Sequence, residues 1–413
     1  MSETFHIQAD RLLGELHELA QISEHPAPAV TRILFSPEDL AARIFLLEKA
    51  HQAGFSSRMD AVGNIMIRMA GTDPSLTAIA TGSHTDAIPN AGAYDGTVGV
   101  LGGLEAMRAL KEAGYQPRRS IELIMFTAEE PTRFGLGCLG SRLMSRCLSA
   151  DEASQLRDAD GKSLDEWRGP HCTGALSEVA LRENDYHAFI ELHIEQGNLL
   201  EAKQLDVGLV EKIAAPASFR LRFHGSGGHA GAVLMPGRRD AFLAAAEVAL
   251  AVEKAAIVSS SPDTVGTTGV IDVWPKAINS IPCEALLEID FRDTDVEARD
   301  IAIGQIRQAA DAICARRNVT FEWHCIHQDP PAICSSWLLD ELESNARMLD
   351  LSHCRMVSRA YHDALFMARI CPTVMIFIPC RNGWSHRPDE YASPEAISRG
   401  TQLLAETLRK LSQ

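Results

Sequence analysis

The chain has 413 residues, 46% of them hydrophobic and 23% charged, with a formal net charge of −16. That length exceeds what one hydrophobic core fills, so two domains are expected, and the composition is that of a soluble globular protein. The excess of acid opposes binding to nucleic acid or to an anionic membrane surface, and neither is an expected partner.

Residues 8–23 place apolar side chains at helical spacing, and residues 37–54 open with Pro and acids before AARIFLLEKAHQAG; both are predicted amphipathic helices. Strand-like and helix-like segments then alternate: GNIMIRMA, LTAIATGSH, a helix over 98–113, IELIMFTAEE and HAFIELHIEQG. Short apolar strands alternating with helices predict a largely parallel sheet covered on both faces. Ligands of such sheets gather beyond the carboxyl ends of the strands, and His84, Glu129, Glu130 and His193 each follow an apolar run at that end. Near residue 207 the character changes. VGLVEKIAAPASFRLRFHG, DTVGTTGVIDVWP and CEALLEIDFRD are predicted strands, alternating with helices over 239–258 and 295–316. Charged and apolar residues alternate in LRFHG and LEIDFRD, as in a sheet with one covered face. A second α+β domain is therefore placed at 211–328, inserted into a first built from 1–210 and 329–413. The chain returns with a helix (336–349), the strand TVMIFIPC and a closing helix (394–411), without internal repeats.

The ten cysteines form no C-x-x-C pair, and several, such as Cys314 and Cys371, lie in apolar runs. That suits small buried hydrophobes in a reducing compartment. No basic segment followed by an apolar one opens the chain, and the most apolar helical stretch carries Glu247, Glu253 and Lys254. A cytoplasmic location without a membrane span is expected.

Acids and histidines recur at strand ends or in Gly-rich turns: SHTD (83–86), AYDGT (93–97), TAEEPTRFG (127–135), ELHIEQG (191–197) and GWSHRPDEY (383–391). Each has a plain structural explanation. Asp95 would cap the following helix, Glu129 and Glu130 would be an exposed strand end, His193 a core histidine and His386 a cap. The sharper reading takes them together. Two metal ions sharing one carboxylate need such a set, with a further carboxylate to take the proton of the attacking water. In that reading Asp86, two residues beyond His84, supplies the acceptor a ligating imidazole needs on its other nitrogen.

The ordered motifs resemble the metal-dependent amidohydrolases of the M20 peptidase superfamily, in its hydantoinase/carbamoylase branch, over nearly the whole chain. The resemblance implies an α/β, mostly parallel mixed-sheet catalytic domain, with the inserted domain serving dimerisation or as a lid in a homodimer. It implies two divalent metal ions per subunit, Mn2+ or Zn2+, with His84 and His193 on one, Glu130 and His386 on the other, and Asp95 bridging. Glu129 is then the general base, and Asp86 orients His84. A histidine at 193, where M20 peptidases commonly have a carboxylate, itself points to this branch. In GGHAGAVLMPGRRDA, His229 matches a histidine that polarises the scissile carbonyl in the partner's active site. Gln196, Asn279, Arg292 and His362 match positions that grip the substrate's carboxylate and ureido groups. An Arg fork suits a planar carboxylate; as a bare feature, Arg292 would instead pair with Asp290 or Asp293, and His229 would be a loop residue.

The stretches HAGAVLMP, AINSIP, HQDPPA and SRAYHDALFMAR look most like the ureidoglycolate-cleaving members of this branch. The implied activity is hydrolysis of the ureido C–N bond of ureidoglycolate to glyoxylate, ammonia and carbon dioxide. The alternatives are an N-carbamoyl-L-amino acid hydrolase, then an allantoate amidohydrolase. A catalytically silent metal-holding protein is disfavoured by Glu129, which metal binding does not require.

Overall fold

The computed structural model describes residues 5–413. The chain divides into two compact units: one gathers the residues up to Glu211, Ile333–Ser358 and His362–Gln413, the other Lys212–Ala332 with Arg359–Tyr361.

The first unit is built on a nine-stranded sheet. Its order is Ala332–Ile333, Val207–Ile213, Thr373–Ile378, Tyr186–Ile194, Ala78–His84, Ile121–Phe126, Ile65–Met69, Ser56–Met59, with His353–Ser358 paired to Val207–Ile213. The four central strands run parallel. IELIMF, TVMIFI and AIATGSH are buried along their whole length, as strands with helices on both faces must be. The flanks run antiparallel. The expected largely parallel sheet is thus a parallel centre with reversed edges; at one edge 56–69 forms a hairpin whose short turn forbids the crossover that a parallel pair needs.

Helix Thr97–Glu112 lies against the central strands and is almost wholly buried. A Cβ on Gly99 would stand 2.3 Å from the Leu192 carbonyl oxygen, and one on Gly103 would stand 2.8 Å from Leu123. The glycines bring helix and sheet close enough to fix the loop before the helix over the strand ends. The register then does the rest: His84 pairs with Phe126, the last residue before the loop to Glu129, and His193 pairs with Phe377. Three segments far apart in sequence therefore end side by side.

The second unit is a four-stranded antiparallel sheet, ordered Val265–Trp274, Glu284–Asp293, Ala215–His224, Thr320–Gln328. Burial alternates strictly along Glu284–Asp293, and the covered face packs against helices Ala241–Ile257 and Val296–Arg317 around Phe219, Leu221, Phe223, Val248 and Ile306. Strand Thr320–Gln328 went unpredicted, since only Phe321 and Trp323 reach that core among its polar residues. A separate two-stranded ribbon pairs Gly228–His229 with Ser280–Ile281. Among the described residues no helix is long and apolar enough to cross a membrane, and all ten cysteines are unpaired.

Two glycine substitutions should separate packing from propensity. Gly99→Ala meets a backbone carbonyl and is expected to cost about 1–3 kcal/mol despite the better helix former. Gly14→Ala, inside helix Ala9–Ala20 with nothing within 4 Å, should gain roughly 0.5–1 kcal/mol. Urea denaturation of both checks this; equal effects would contradict the close approach.

Candidate active site

The loop Gly92–Gly96 carries Asp95 over the ends of the parallel strands. Gly96 sits at φ +66, and a Cβ there would fall 2.4 Å from the His84 ring. Only glycine allows that left-handed turn and that approach together. Asp95 caps nothing with its side chain, since the helix starts after Gly96 without a side-chain cap. Its carboxylate is buried and faces imidazoles instead. Oδ1 lies 3.1 Å from His193 Nε2 and 3.6 Å from His84 Nε2, and Oδ2 lies 3.4 Å from His386 Nε2. Burial alone would raise the Asp95 pKa, but the facing imidazoles of His193, His386 and His84 hold it well below the usual carboxylate range.

The rings are oriented from behind. His84 Nδ1 lies 3.0 Å from the Asp86 backbone carbonyl oxygen, and His193 Nδ1 lies 2.9 Å from that of Ile194. Both rings thereby turn Nε2 toward the acids. Asp86 orients His84 mainly through that carbonyl, with its Oδ1 at 3.6 Å. Its carboxylate accepts hydrogen bonds from the Glu129 and Glu130 backbone N–H groups, at 3.3 and 3.0 Å. It thereby pins the strand end that carries both acids. Ala128, at φ +53, turns the chain just before them, and Asn64 Oδ1 holds the Thr127 N–H at 2.8 Å.

Glu129 and Glu130 are both buried, which excludes the exposed strand end. Glu130 Oε1 is 3.3 Å from His386 Nε2. Glu129 points elsewhere, with Oε2 3.7 Å from His84 Nε2. Burial pushes its carboxyl well above the ordinary range; the His84 charge opposes this, while Glu130, Asp363 and Asp95 add to it. His386 is half-exposed at φ +58, and its partners Asp95 and Glu130 push its imidazole up to about 11. His84 is also raised well above its ordinary value: burial opposes charge there, but Glu129, Asp86 and Asp95 outweigh it.

Three groups of possible ligands result: His84–Asp95–His193 and Asp95–Glu130–His386, joined through Asp95, and Glu191–His193–His362, which shares His193 with the first. Their chemistry fits divalent ions of the zinc or manganese type. The buried His84 Nε2, with no hydrogen-bond partner among the described residues, is an atom that such an ion would satisfy.

The remaining predicted residues fall in several places. Gln196, at φ +57, donates from Nε2 to Asp95 Oδ2 at 2.7 Å, and its buried Oε1 has no hydrogen-bond partner among the described residues. His362 is buried with its ring centroid 4.4 Å from that of His193, and its Nε2 is 3.2 Å from Ser358 Oγ. His229, Asn279 and Arg292 belong to the second unit. There the ribbon sets His229 opposite Ser280, and the Ala230 N–H bonds the Asn279 carbonyl at 2.9 Å, so the two candidates sit together. Arg292 is bound on one edge by both oxygens of Asp290, at 2.8 Å each, and lies 5.0 Å from the Tyr361 ring. Glu390 and Ser385 were not singled out from the sequence, although GWSHRPDEY contains both; Ser385 Oγ lies 2.6 Å from Asp95 Oδ2. Asn64 carried no signal.

The fold agrees with that of known proteins. The family model for peptidase family M20/M25/M40 matches residues 80–410, and the chain belongs to that family, whose metallohydrolases use divalent metal ions. A ureidoglycolate hydrolase of Oryza sativa subsp. japonica is 50% identical over 419 residues, covering 100% of this chain and 86% of that protein. One of Arabidopsis thaliana is 48% identical over 420 residues, covering 100% and 88%. The crystal structure of AtUAH in complex with glyoxylate superimposes with a TM-score of 0.93 at 48% identity, covering 99% of this chain and 98% of that one.

In the metal-free protein, His386 is protonated well above neutrality. A ligating imidazole must be neutral, so an ion held by His386 would expel that proton. Metal binding near pH 8 should therefore release about one proton or more per chain, and affinity should rise with pH. Calorimetric titrations in buffers of different ionisation heat check this; a heat independent of buffer would contradict it.

Proposed function

We propose that this protein is a two-metal amidohydrolase that cleaves the ureido C–N bond of ureidoglycolate. The observation that carries the reading is the shared Asp95 carboxylate, with one oxygen toward His84 and His193 and the other toward His386, beside the separately aimed Glu129. The choice of substrate is supported by ureidoglycolate hydrolases 48% and 50% identical over the whole chain.

His84 and His193 would hold one ion, Glu130 and His386 the other, with Asp95 between them; zinc and manganese both suit these ligands. When bound, such ions polarise a carbonyl and lower the pKa of water. Glu129 takes the proton of the attacking water and returns it to the departing nitrogen. Its burial beside other acids raises its proton affinity well above that of an ordinary carboxylate. The carbamate released breaks down to carbon dioxide and ammonia, and the remaining 2-amino-2-hydroxy acid loses ammonia to give glyoxylate. Gln196, Asn279, Arg292 and His362 are assigned to the carboxylate and ureido ends of the substrate.

The enzyme acts as a homodimer through the inserted unit (about 211–328), and His229 serves the partner's site. Leu243, Leu250 and Ile257 recur at seven-residue spacing on the outer side of Ala241–Ile257, all exposed, next to the edge strand Val265–Trp274 with Val270 and Ile271 exposed. A row of that kind beside an unpaired edge suits pairing with a second copy. His229 is itself exposed, on a ribbon with Asn279 near exposed Leu234 and Met235.

Steady-state rates on ureidoglycolate, allantoate and several N-carbamoyl-L-amino acids test the substrate. A site bonded to the 2-hydroxyl should reject analogues lacking it by roughly 10⁴-fold; equal rates on N-carbamoyl amino acids would overturn the assignment. Glu129→Gln should keep the metals and lower kcat by roughly 10²–10⁴. Loss of metal, or near-normal turnover, would reassign the base.

A mixed dimer tests His229. One His229→Ala chain paired with one Glu129→Gln chain contains one site with both residues and one with neither. Activity should return to about half the wild-type level per mixed dimer. No recovery, with the heterodimer confirmed, would mean that His229 serves its own chain or none.

A further inference from the structure

Two loops nearly three hundred residues apart supply the centre of the site, one carrying Asp95 and the other His386. Glu390 joins them. It is buried, and its Oε1 accepts hydrogen bonds from the backbone N–H groups of Tyr94 and Asp95, at 2.8 and 3.1 Å. Its Oε2 lies 2.9 Å from Ser385 Oγ, and the same hydroxyl oxygen lies 2.6 Å from Asp95 Oδ2. The contact depends on a glycine: a Cβ on Gly92 would stand 2.3 Å from the Glu390 Cβ and 2.4 Å from its Oε1.

We propose that Glu390 is a positioning residue for the metal centre, locking the Asp95 loop to the His386 loop, with Ser385 as the pin between the two carboxylates. Adjacent backbone N–H groups in a buried turn need an acceptor, and one carboxylate oxygen serves both. That fixes the backbone of Asp95. The Ser385 contact then fixes the twist of its side chain, so that Oδ1 stays toward His84 and His193 and Oδ2 toward His386. A carboxylate left to rotate would present both oxygens at poor angles to two ions at once. Because Asp95 serves both, Glu390 affects both, unlike any group behind a single histidine. Ser385 stands next to His386 in sequence, so the pin also sets the second loop against the first. This role rests on the two-metal reading above.

The test is metal affinity of the full-length protein, measured for Mn2+ and Zn2+ by competition with a chromophoric chelator. Glu390→Ala should weaken both metals together by roughly 10–100-fold, the usual cost of losing a group that orients ligands. Glu390→Gln should stay near wild type, because its amide carbonyl still accepts both N–H groups and its NH2 donates to Ser385. Gly92→Ala should reproduce the alanine loss by driving Glu390 aside. Ser385→Ala, at a part-exposed residue, should weaken both metals by several-fold and guards against a Glu390→Ala chain that fails to fold. Wild-type affinity in Glu390→Ala, Gly92→Ala or Ser385→Ala would overturn the proposal. So would Glu390→Gln as weak as alanine, or loss of one metal alone. A wild type that binds neither metal would instead sink the metal centre, and this assignment with it.

Discussion

The structure turns on one buried carboxylate held among three imidazoles. Asp95 lies beneath the surface with Glu129, Glu130, Glu191 and Asp363 nearby, a concentration of acid that no apolar core tolerates unpaired. His84, His193 and His386 supply the opposing charge. Their placement in turn requires the parallel strands to end in register and the glycine turn at 96 to let the His84 ring approach. Sheet, helix glycines and loop are therefore successive answers to the same electrostatic demand.

Much of this was legible because the chemistry sits where periodicity changes. Apolar runs of four to eight residues marked the central strands, and all but Thr373–Ile378, which runs into Pro379 and Cys380, led to an acid or a histidine. The joint order of those breaks identified the family where no single motif did. The longer helices fell within two or three residues of their predicted ends, with Ser36, Asp240 and Ser393 where capping residues belong, while short ones such as Leu139–Met144 and Asp363–Met367 were not predicted. The second unit showed its one-sided sheet through the alternation in LEIDFRD.

What the sequence hid was hidden for physical reasons. Thr320–Gln328 buries too few apolar residues to look like a strand; its place comes from pairing with Ala215–His224. The role of Asp86 could not be divided in advance, because carbonyl and carboxylate of one residue serve different partners. Asn64 acts through a single hydrogen bond to a backbone amide sixty-three positions away, and such a bond leaves no local pattern. Arg292 carried two readings, and the pairing with Asp290 that a bare sequence suggests is present in the fold.

The inserted unit leaves the first along Val207–Ile213 and returns through Ala332–Ile333, and these are neighbouring strands of one sheet. The Cys334 N–H meets the Glu211 carbonyl oxygen at 3.0 Å, so departure and re-entry are one hydrogen bond apart. A host whose two cut ends are already stitched together hardly registers how much chain hangs between them, because closing a longer loop costs only about 0.6 kcal/mol per doubling. Such a joint is a natural graft point. It lets the host unit keep its geometry while the insertion is enlarged, trimmed or exchanged.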